Sequence, residues 1–458
     1  MSKKNQIDML HGPLLRKILL FALPSAITSS LQQLFNATDV AVVGQFAGSE
    51  VLAAVGSNGP VINLIVNLLV GTTIGTNVVI ANYIGQGRKD RVNDTIHTSI
   101  LLAIIGGILF GIVGIVAARP MLVLMGSPDN VIDLATLYLR IYFAGTPLMA
   151  LYNFGAAILR SRGDTTRPMI SLIISGIINV GLNLLLVAVF HMGVAGVAIA
   201  TVTANGISAS RIMYVMFKEK GEFRFRPGKL RIHRDHFKRI LKIGIPSGVQ
   251  GMVFSLSNVF IQSGVNSFGS DAIAGSSAAL NFEYFAYFVL NAFVQAATTF
   301  IGQNYGAGNM QRCRQIFWRC MIMSVLATAA CNFGFYLFKG PLIGLFTNEP
   351  QVAEWAYIRM RHILLFQTMA NSYEISGAAM RGMGHAMTPS AIMIVGTCLF
   401  RIFWLFTVFP QVGTFEILVD VYPVSWVITG TAVLIAYFFV RSKEEKAYAQ
   451  HKLEEWSI

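Results

Sequence analysis

The chain has 458 residues, of which 54% are hydrophobic and only 12% charged, and a formal net charge of +13. Soluble domains carry about 25% charged residues, so half that share, with a mean hydropathy of +0.59, excludes an ordinary soluble protein. Cys313, Cys320, Cys331 and Cys398 have no CxxC spacing and no companion histidines, which excludes a disulfide framework and a zinc site.

Apolar runs fall at 14–43, 52–83, 94–118, 131–159, 167–190, 193–217, 236–267, 274–303, 314–338, 352–380, 388–409 and 422–441. A helix that crosses a bilayer needs about 20 apolar residues, so the expected fold is an all-α polytopic membrane protein with twelve spans. The first run carries Asp39 and lacks a small-residue cleavage site, so it reads as a retained helix rather than a signal peptide. The one long polar interruption, Lys218–His236, reads as a cytoplasmic linker whose two histidines, His233 and His236, are solvated. The expected organisation is a six-helix lobe over 1–217, a linker over 218–235, a second six-helix lobe over 236–441 and a cytoplasmic tail over 442–458.

Lys and Arg mark one side of the membrane. The N-terminus (Lys3, Lys4, Arg16, Lys17), every second connection and the tail hold 28 of them, and the opposite connections hold only Arg119 and Lys339. This split follows the positive-inside rule. It puts both termini in the cytoplasm and requires an even number of spans. The basic excess is thus explained by topology and contact with anionic membrane lipids, and nucleic acid is not an expected partner.

A shift of 221 residues superposes the halves: Gly48 on Gly269, Gly85 on Gly306, Gly87 on Gly308, Arg91 on Arg312, Pro120 on Pro341, Arg160 on Arg381, Gly163 on Gly384 and Pro168 on Pro389. With one residue of slip, Pro24-Ser25 matches Pro246-Ser247 and Asn36 matches Asn258. Six spans per half return the chain to the same side, so the repeats are parallel. Folds of this kind hold substrate between the halves near the midplane and work by rocking one half against the other. That favours a transporter over a receptor or a structural protein.

Three carboxylates lie deep inside spans, away from the span ends: Asp39, Glu283 and Glu374. A charge at bilayer depth costs about 2.5–3.5 kcal/mol on insertion scales and marks a functional position by default. Such a carboxylate can hold a proton, and with nearby amide oxygens it can equally hold Na⁺. Asn36 lies one turn before Asp39; Asn179 and Asn183 are one turn apart in the fifth span, and Asn153 in the fourth is placed to complete the cluster. In the second half, Glu283 and Glu374 stand where the repeat has Ile62 and Asn153, so they are not inherited from the shared scaffold. Aromatic residues, among them Tyr284 and Tyr287, surround Glu283, and a carboxylate among aromatic faces suits a lipophilic cation. Arg401 is a candidate partner for one of the two glutamates, and the repeat-related Arg140 and Arg361 read as structural. Pro24 and Pro246 remove a backbone donor early in the first and seventh spans and permit bending there.

The segments LPSAITSSLQQLFNATDVAVVGQFAGSEVLAAVG, YIGQGRKDR, AAILRSRGDTTRP, MGVAGVAIATV, FIGQNYGAGN and AAMRGMGHAMTP run through both halves in order. Together they resemble the multidrug and toxic compound extrusion (MATE) transporters. The resemblance implies two six-helix lobes around a central cleft. It also implies a multi-pass protein of the cytoplasmic (inner) membrane that needs no cofactor, and an antiporter that exports cationic amphipathic molecules against H⁺ or Na⁺. Under this resemblance Asp39 matches the first-helix acid of the family, with Asn36, Asn153, Asn179 and Asn183 as its ion-coupling neighbours. Glu283, Glu374, Tyr284, Tyr287 and Arg401 are the expected substrate-binding residues. One branch of the family has an Asp where Asn183 stands, and another a Glu in the seventh span, where this chain reads VFSLSNVF; the coupling ion is open between H⁺ and Na⁺. No metal other than Na⁺ at Asp39 is expected, and the protein is expected to act as a monomer. The chain has no Walker A lysine, HExxH or GxSxG motif, which argues against an enzyme. The alternative is a lipid-linked oligosaccharide flippase of the same superfamily; twelve spans and an acidic interior favour cation export.

Overall fold

A computed structural model describes residues 6–125 and 127–456; Lys3 and Lys4 of the charge census lie outside it. Each expected apolar segment is helical. The segments are α1 (Leu14–Phe46), α2 (49–85, interrupted at Asn58), α3 (Lys89–Leu124), α4 (129–161), α5 (Thr166–Val189), α6 (Gly193–Lys218), α7 (Arg234–Asn266), α8 (Ser270–Gly306), α9 (Met310–Leu337), α10 (350–382), α11 (Met387–Val412) and α12 (Phe415–Trp456). No strand occurs among the described residues. Ten of these helices are long and apolar enough to cross a membrane, and α4, bent by 47° between Ala144 and Thr146, makes an eleventh. The remaining segment, α10, is two helices joined by a tight turn over Leu364–Met369, and its charges, among them Arg359, Glu374 and Arg381, dilute its apolar character.

The repeat keeps glycine where the backbone demands it. Gly87 and Gly308 (φ 68° and 70°) and Gly163 and Gly384 (φ 91° and 89°) have the left-handed backbone that ends α2, α8, α4 and α10. A side chain there is strained, which explains why these pairs survive in both halves.

The chain forms two compact units. One comprises Leu23–Met252 with the residues up to Asp8, and the other comprises Met9–Ala22 with the chain from Val253 onward. The boundary therefore does not fall in the expected linker. The start of α7 belongs to the first unit because small residues let its backbone meet that of α2. A Cβ on Gly71 would land on the backbone of Gly248, and one on Gly75 on the carbonyl of Ile240. The start of α1 belongs to the second unit, where Phe21 meets Phe300 edge-on at 5.7 Å and Asn304 donates to the Met9 carbonyl at 3.1 Å.

The linker is not a solvated tether. Its Phe-Arg-Phe-Arg run alternates, with Phe223 and Phe225 buried and Arg224 and Arg226 exposed. Phe225 stacks on His97 of α3 at 5.6 Å, the Arg226 N–H donates to His97 Nε2 at 3.1 Å, and Asn93 Nδ2 donates to the Glu222 carbonyl at 2.8 Å. The expectation of two solvated histidines fails at His236, whereas the His233 side chain stays 32% exposed. His236 is buried edge-on to Tyr83, and the His233 N–H donates to Thr98 Oγ1 at 3.2 Å. The two phenylalanines bring the linker down onto α3, and the histidines follow. Nor is 442–456 a separate tail: α12 runs through it, and Glu444 accepts from Tyr305 at 2.6 Å and lies 2.9 Å from His385 Nε2.

Candidate functional site

In the first unit, α1, α5 and α6 converge on Asp39, which is 8% exposed. Asn183 Nδ2 donates to Asp39 Oδ1 at 2.5 Å and lies 3.4 Å from Asn179 Oδ1, and Thr201 Oγ1 donates to Asp39 Oδ2 at 3.4 Å. Asn183 Oδ1 is buried without a hydrogen-bond partner among the described residues. Asn179 and Asn183 face Asp39 because they lie one helical turn apart, and α5 widens into a π-helical stretch at Leu184–Val189 directly after them. Such wide turns gather at functional sites.

Two expected members are not brought in. Asn36 is exposed, and Asn153 Nδ2 is bonded within its own helix to the Met149 carbonyl at 2.9 Å. The three-residue step from Asn36 to Asp39 leaves enough angular offset to put one side chain out and the other in. Thr201, which the sequence reading did not single out, takes their place; it stands in the MGVAGVAIATV segment, and its only advance signal is a hydroxyl in an apolar run.

In the second unit, Glu283 of α8 does not meet Arg401. Its partner is Arg359 of α10, a residue that the sequence did not single out. Arg359 Nε and Nη2 donate to the two carboxylate oxygens at 2.7 and 3.0 Å, and Nη1 donates to Ser276 Oγ at 2.9 Å. The pair is nearly fully buried, with side-chain exposures of 3% and 8%. The Leu364–Met369 turn adds Gln367, whose Nε2 donates to the Glu283 carbonyl at 2.9 Å. Glu374 lies 3.7 Å from Arg381. The pairing expected for Arg401 is thus corrected: each glutamate has an arginine of α10.

Arg401 itself is fully buried. Its Nε donates to Ser425 Oγ of α12 at 3.2 Å and its Nη1 to Asn258 Oδ1 of α7 at 3.3 Å. The guanidinium lies 4.3 Å from the centre of the Tyr422 ring and 5.3 Å from that of Phe254. Tyr284 is largely exposed and stacks with Phe288 at 6.3 Å, whereas Tyr287 is half-buried within electrostatic reach of Glu374. No group of three metal-ligating side chains occurs among the described residues.

The chain is similar to known proteins over nearly its whole length. The MatE family model matches residues 24–185 and again 246–407, once in each half. The probable multidrug resistance protein NorM of Thermotoga maritima is 27% identical over 397 residues, covering 86% of this chain and 85% of that protein. The FAD transporter of Shewanella oneidensis is 26% identical, covering 81% and 85%. Among solved structures, a MOP superfamily transporter from Pyrococcus furiosus has a TM-score of 0.90 at 22% identity, covering 97% of this chain and 100% of that one. A MATE crystal structure in the bent conformation has a TM-score of 0.89 at 23% identity, covering 98% and 100%. Two matched repeats spanning most of the sequence, on a shared fold, place this chain in the MatE family of membrane transporters, a family of carriers and not of enzymes.

Proposed function

We propose that this protein is an antiporter of the cytoplasmic membrane that exports amphipathic organic molecules of the multidrug kind, driven by inward H⁺ or Na⁺ at Asp39. The observation that supports it is a buried carboxylate on α1 whose hydrogen-bond donors among the described residues are two neutral groups, Asn183 and Thr201. With no arginine or lysine paired to it among the described residues, Asp39 is open to a proton, and protonation then removes the formal charge of the cluster. For Na⁺, the Asp39 carboxylate, the Thr201 hydroxyl and Asn179 Oδ1 supply oxygens, and the Asn183 amide, whose Nδ2 now faces the carboxylate, would turn to present its Oδ1. In either case binding neutralises a charge at bilayer depth, which biases a two-state carrier.

Several finer points belong to this reading. Both termini lie in the cytoplasm, as the split of Lys and Arg argues. A single chain suffices, because each polar cluster is complete within one unit. Rocking of the lobes moves the substrate, as in other transporters with parallel repeats. The multidrug character rests on the relatives named for it. Glu283 and Glu374 no longer support a preference for cations, because each is matched by its own arginine and offers no spare negative charge.

The test is reconstitution into liposomes with an imposed proton or sodium gradient and a fluorescent amphipathic dye. Transport that follows one gradient and is lost in Asp39→Asn is the expected result. Dye flux indifferent to both gradients sinks the antiporter, and unchanged coupling in Asp39→Asn sinks the site.

A further inference from the structure

Arg401 is a buried cation that the protein does not neutralise. The ionised groups buried beside it in the second unit pair off: Glu283 with Arg359, and Glu374 with Arg381. Among the described residues Arg401 contacts neutral groups: the Ser425 hydroxyl, the Asn258 amide oxygen, and the rings of Tyr422 and Phe254. Its Nη2 has no hydrogen-bond partner among the described residues. An intramembrane arginine ordinarily pairs with an acid or with backbone carbonyls. One held by an amide, a hydroxyl and two aromatic faces is left with an unused pair of donors and an uncompensated charge.

The repeat sharpens the point. Arg401 on α11 stands one residue beyond the repeat equivalent of Asn179 on α5, and Asn258 on α7 is the repeat match of Asn36 on α1. Ser425 comes from α12, the counterpart of α6, which supplies Thr201. The same three helices of each half therefore build a polar cluster, and α11 widens into a π-helical stretch at Ile394–Leu399 just before Arg401, as α5 does just after Asn183. In the first unit the ionisable member is a carboxylate, and in the second it is a guanidinium.

We infer that Arg401, with Asn258, Ser425 and Tyr422, is the anchor for the anionic group of an aromatic organic anion. This deepens the transporter reading and rests on it: the first unit takes the coupling cation and the second takes the negative end of the transported molecule. A guanidinium presents a fork of donors suited to a carboxylate or phosphate, and the Tyr422 and Phe254 rings offer apolar faces to an aromatic body. Arg401 is covered in this conformation, so the anion enters as the cluster opens and replaces its weak contacts to the ring and hydroxyl.

The test compares two small probes of the same aromatic body and opposite charge, naphthoate and naphthylmethylammonium. Equilibrium binding is measured on the full-length protein in phosphatidylcholine nanodiscs with no gradient. Wild type is expected to bind naphthoate more tightly than the ammonium probe. Arg401→Gln is expected to lose about tenfold or more in naphthoate affinity, the scale of a charge-assisted hydrogen bond, and Arg401→Lys to retain part of it. Wild-type protein that prefers the ammonium probe overturns the inference even if Arg401→Gln does not fold, and so does an Arg401→Gln protein with unaltered naphthoate affinity. Displacement of naphthoate by added phosphatidylglycerol also overturns it, by assigning the site to a lipid headgroup. Because no gradient is used, naphthoate binding that persists while gradient-driven flux is absent rejects the antiporter and leaves this inference standing. Gradient-driven flux of cations alone, without naphthoate binding, does the reverse.

Discussion

Replacing Glu283 by Gln tests whether that carboxylate is a structural counter-ion or a free acid. In the structure it accepts two hydrogen bonds from Arg359, at 2.7 and 3.0 Å, with both side chains less than a tenth exposed. A Gln keeps one acceptor oxygen, loses the charge and turns a donor toward the guanidinium. Breaking one side of a buried pair costs about 3–5 kcal/mol because the remaining charge is stranded. For a cooperative unit of this size each kcal/mol shifts the melting midpoint by about 2–4 °C. The expected fall is therefore about 6–20 °C, read by thermal unfolding of the detergent-purified protein. Replacing both partners with apolar residues of similar volume, Glu283→Leu with Arg359→Met, removes the stranded charge and is expected to recover most of the loss. A Glu283→Gln midpoint within about 2 °C of wild type refutes the reasoning. So does a double variant no more stable than the single one.

Two further predictions concern the surface that includes the linker. Burial pushes the Glu219 carboxyl up, but hydrogen bonds from Arg162 and Arg167 outweigh it and hold it at about 2, below its usual 4.5. A depressed carboxyl contributes stability above its unfolded value and loses it as pH falls toward the folded one. Glu219→Gln should thus cost about 3 kcal/mol at neutral pH, with the gap from wild type closing between about pH 5 and pH 2; parallel melting curves with a constant gap contradict this. Phe225→Ser should free the linker, since a buried Phe contributes about 3 kcal/mol or more. Tryptic cleavage after Arg224 should then accelerate more than tenfold over wild type, and an unchanged rate shows that Phe225 does not hold the segment.

Much of the architecture is legible in the chain itself because it is written in local patterns. Twenty-residue apolar runs set the helices, the bilayer leaving a segment few other ways to satisfy its backbone. The repeated glycines Gly87, Gly163, Gly308 and Gly384 mark helix ends that need a left-handed residue, and so survive as a visible repeat. Asp39 stands out for a similar reason, since a carboxylate in an apolar run is anomalous without reference to any neighbour.

Partnership was not legible. Four arginines (Arg359, Arg361, Arg381 and Arg401) and two glutamates of the second half can be matched in several ways, and helical spacing cannot choose among them. Only the packing of α8 against α10 puts Arg359, and not Arg401 or Arg361, on Glu283. The same holds for Thr201 in place of Asn36 and Asn153, and for two phenylalanines that turn a basic linker into a docked segment. Sequence determines which side chains are costly to bury, because that cost belongs to the residue and its span. Tertiary structure decides which of those costs is met by a partner and which is left open, as at Asp39 and Arg401, because charge compensation acts over a few ångströms between helices far apart in the chain.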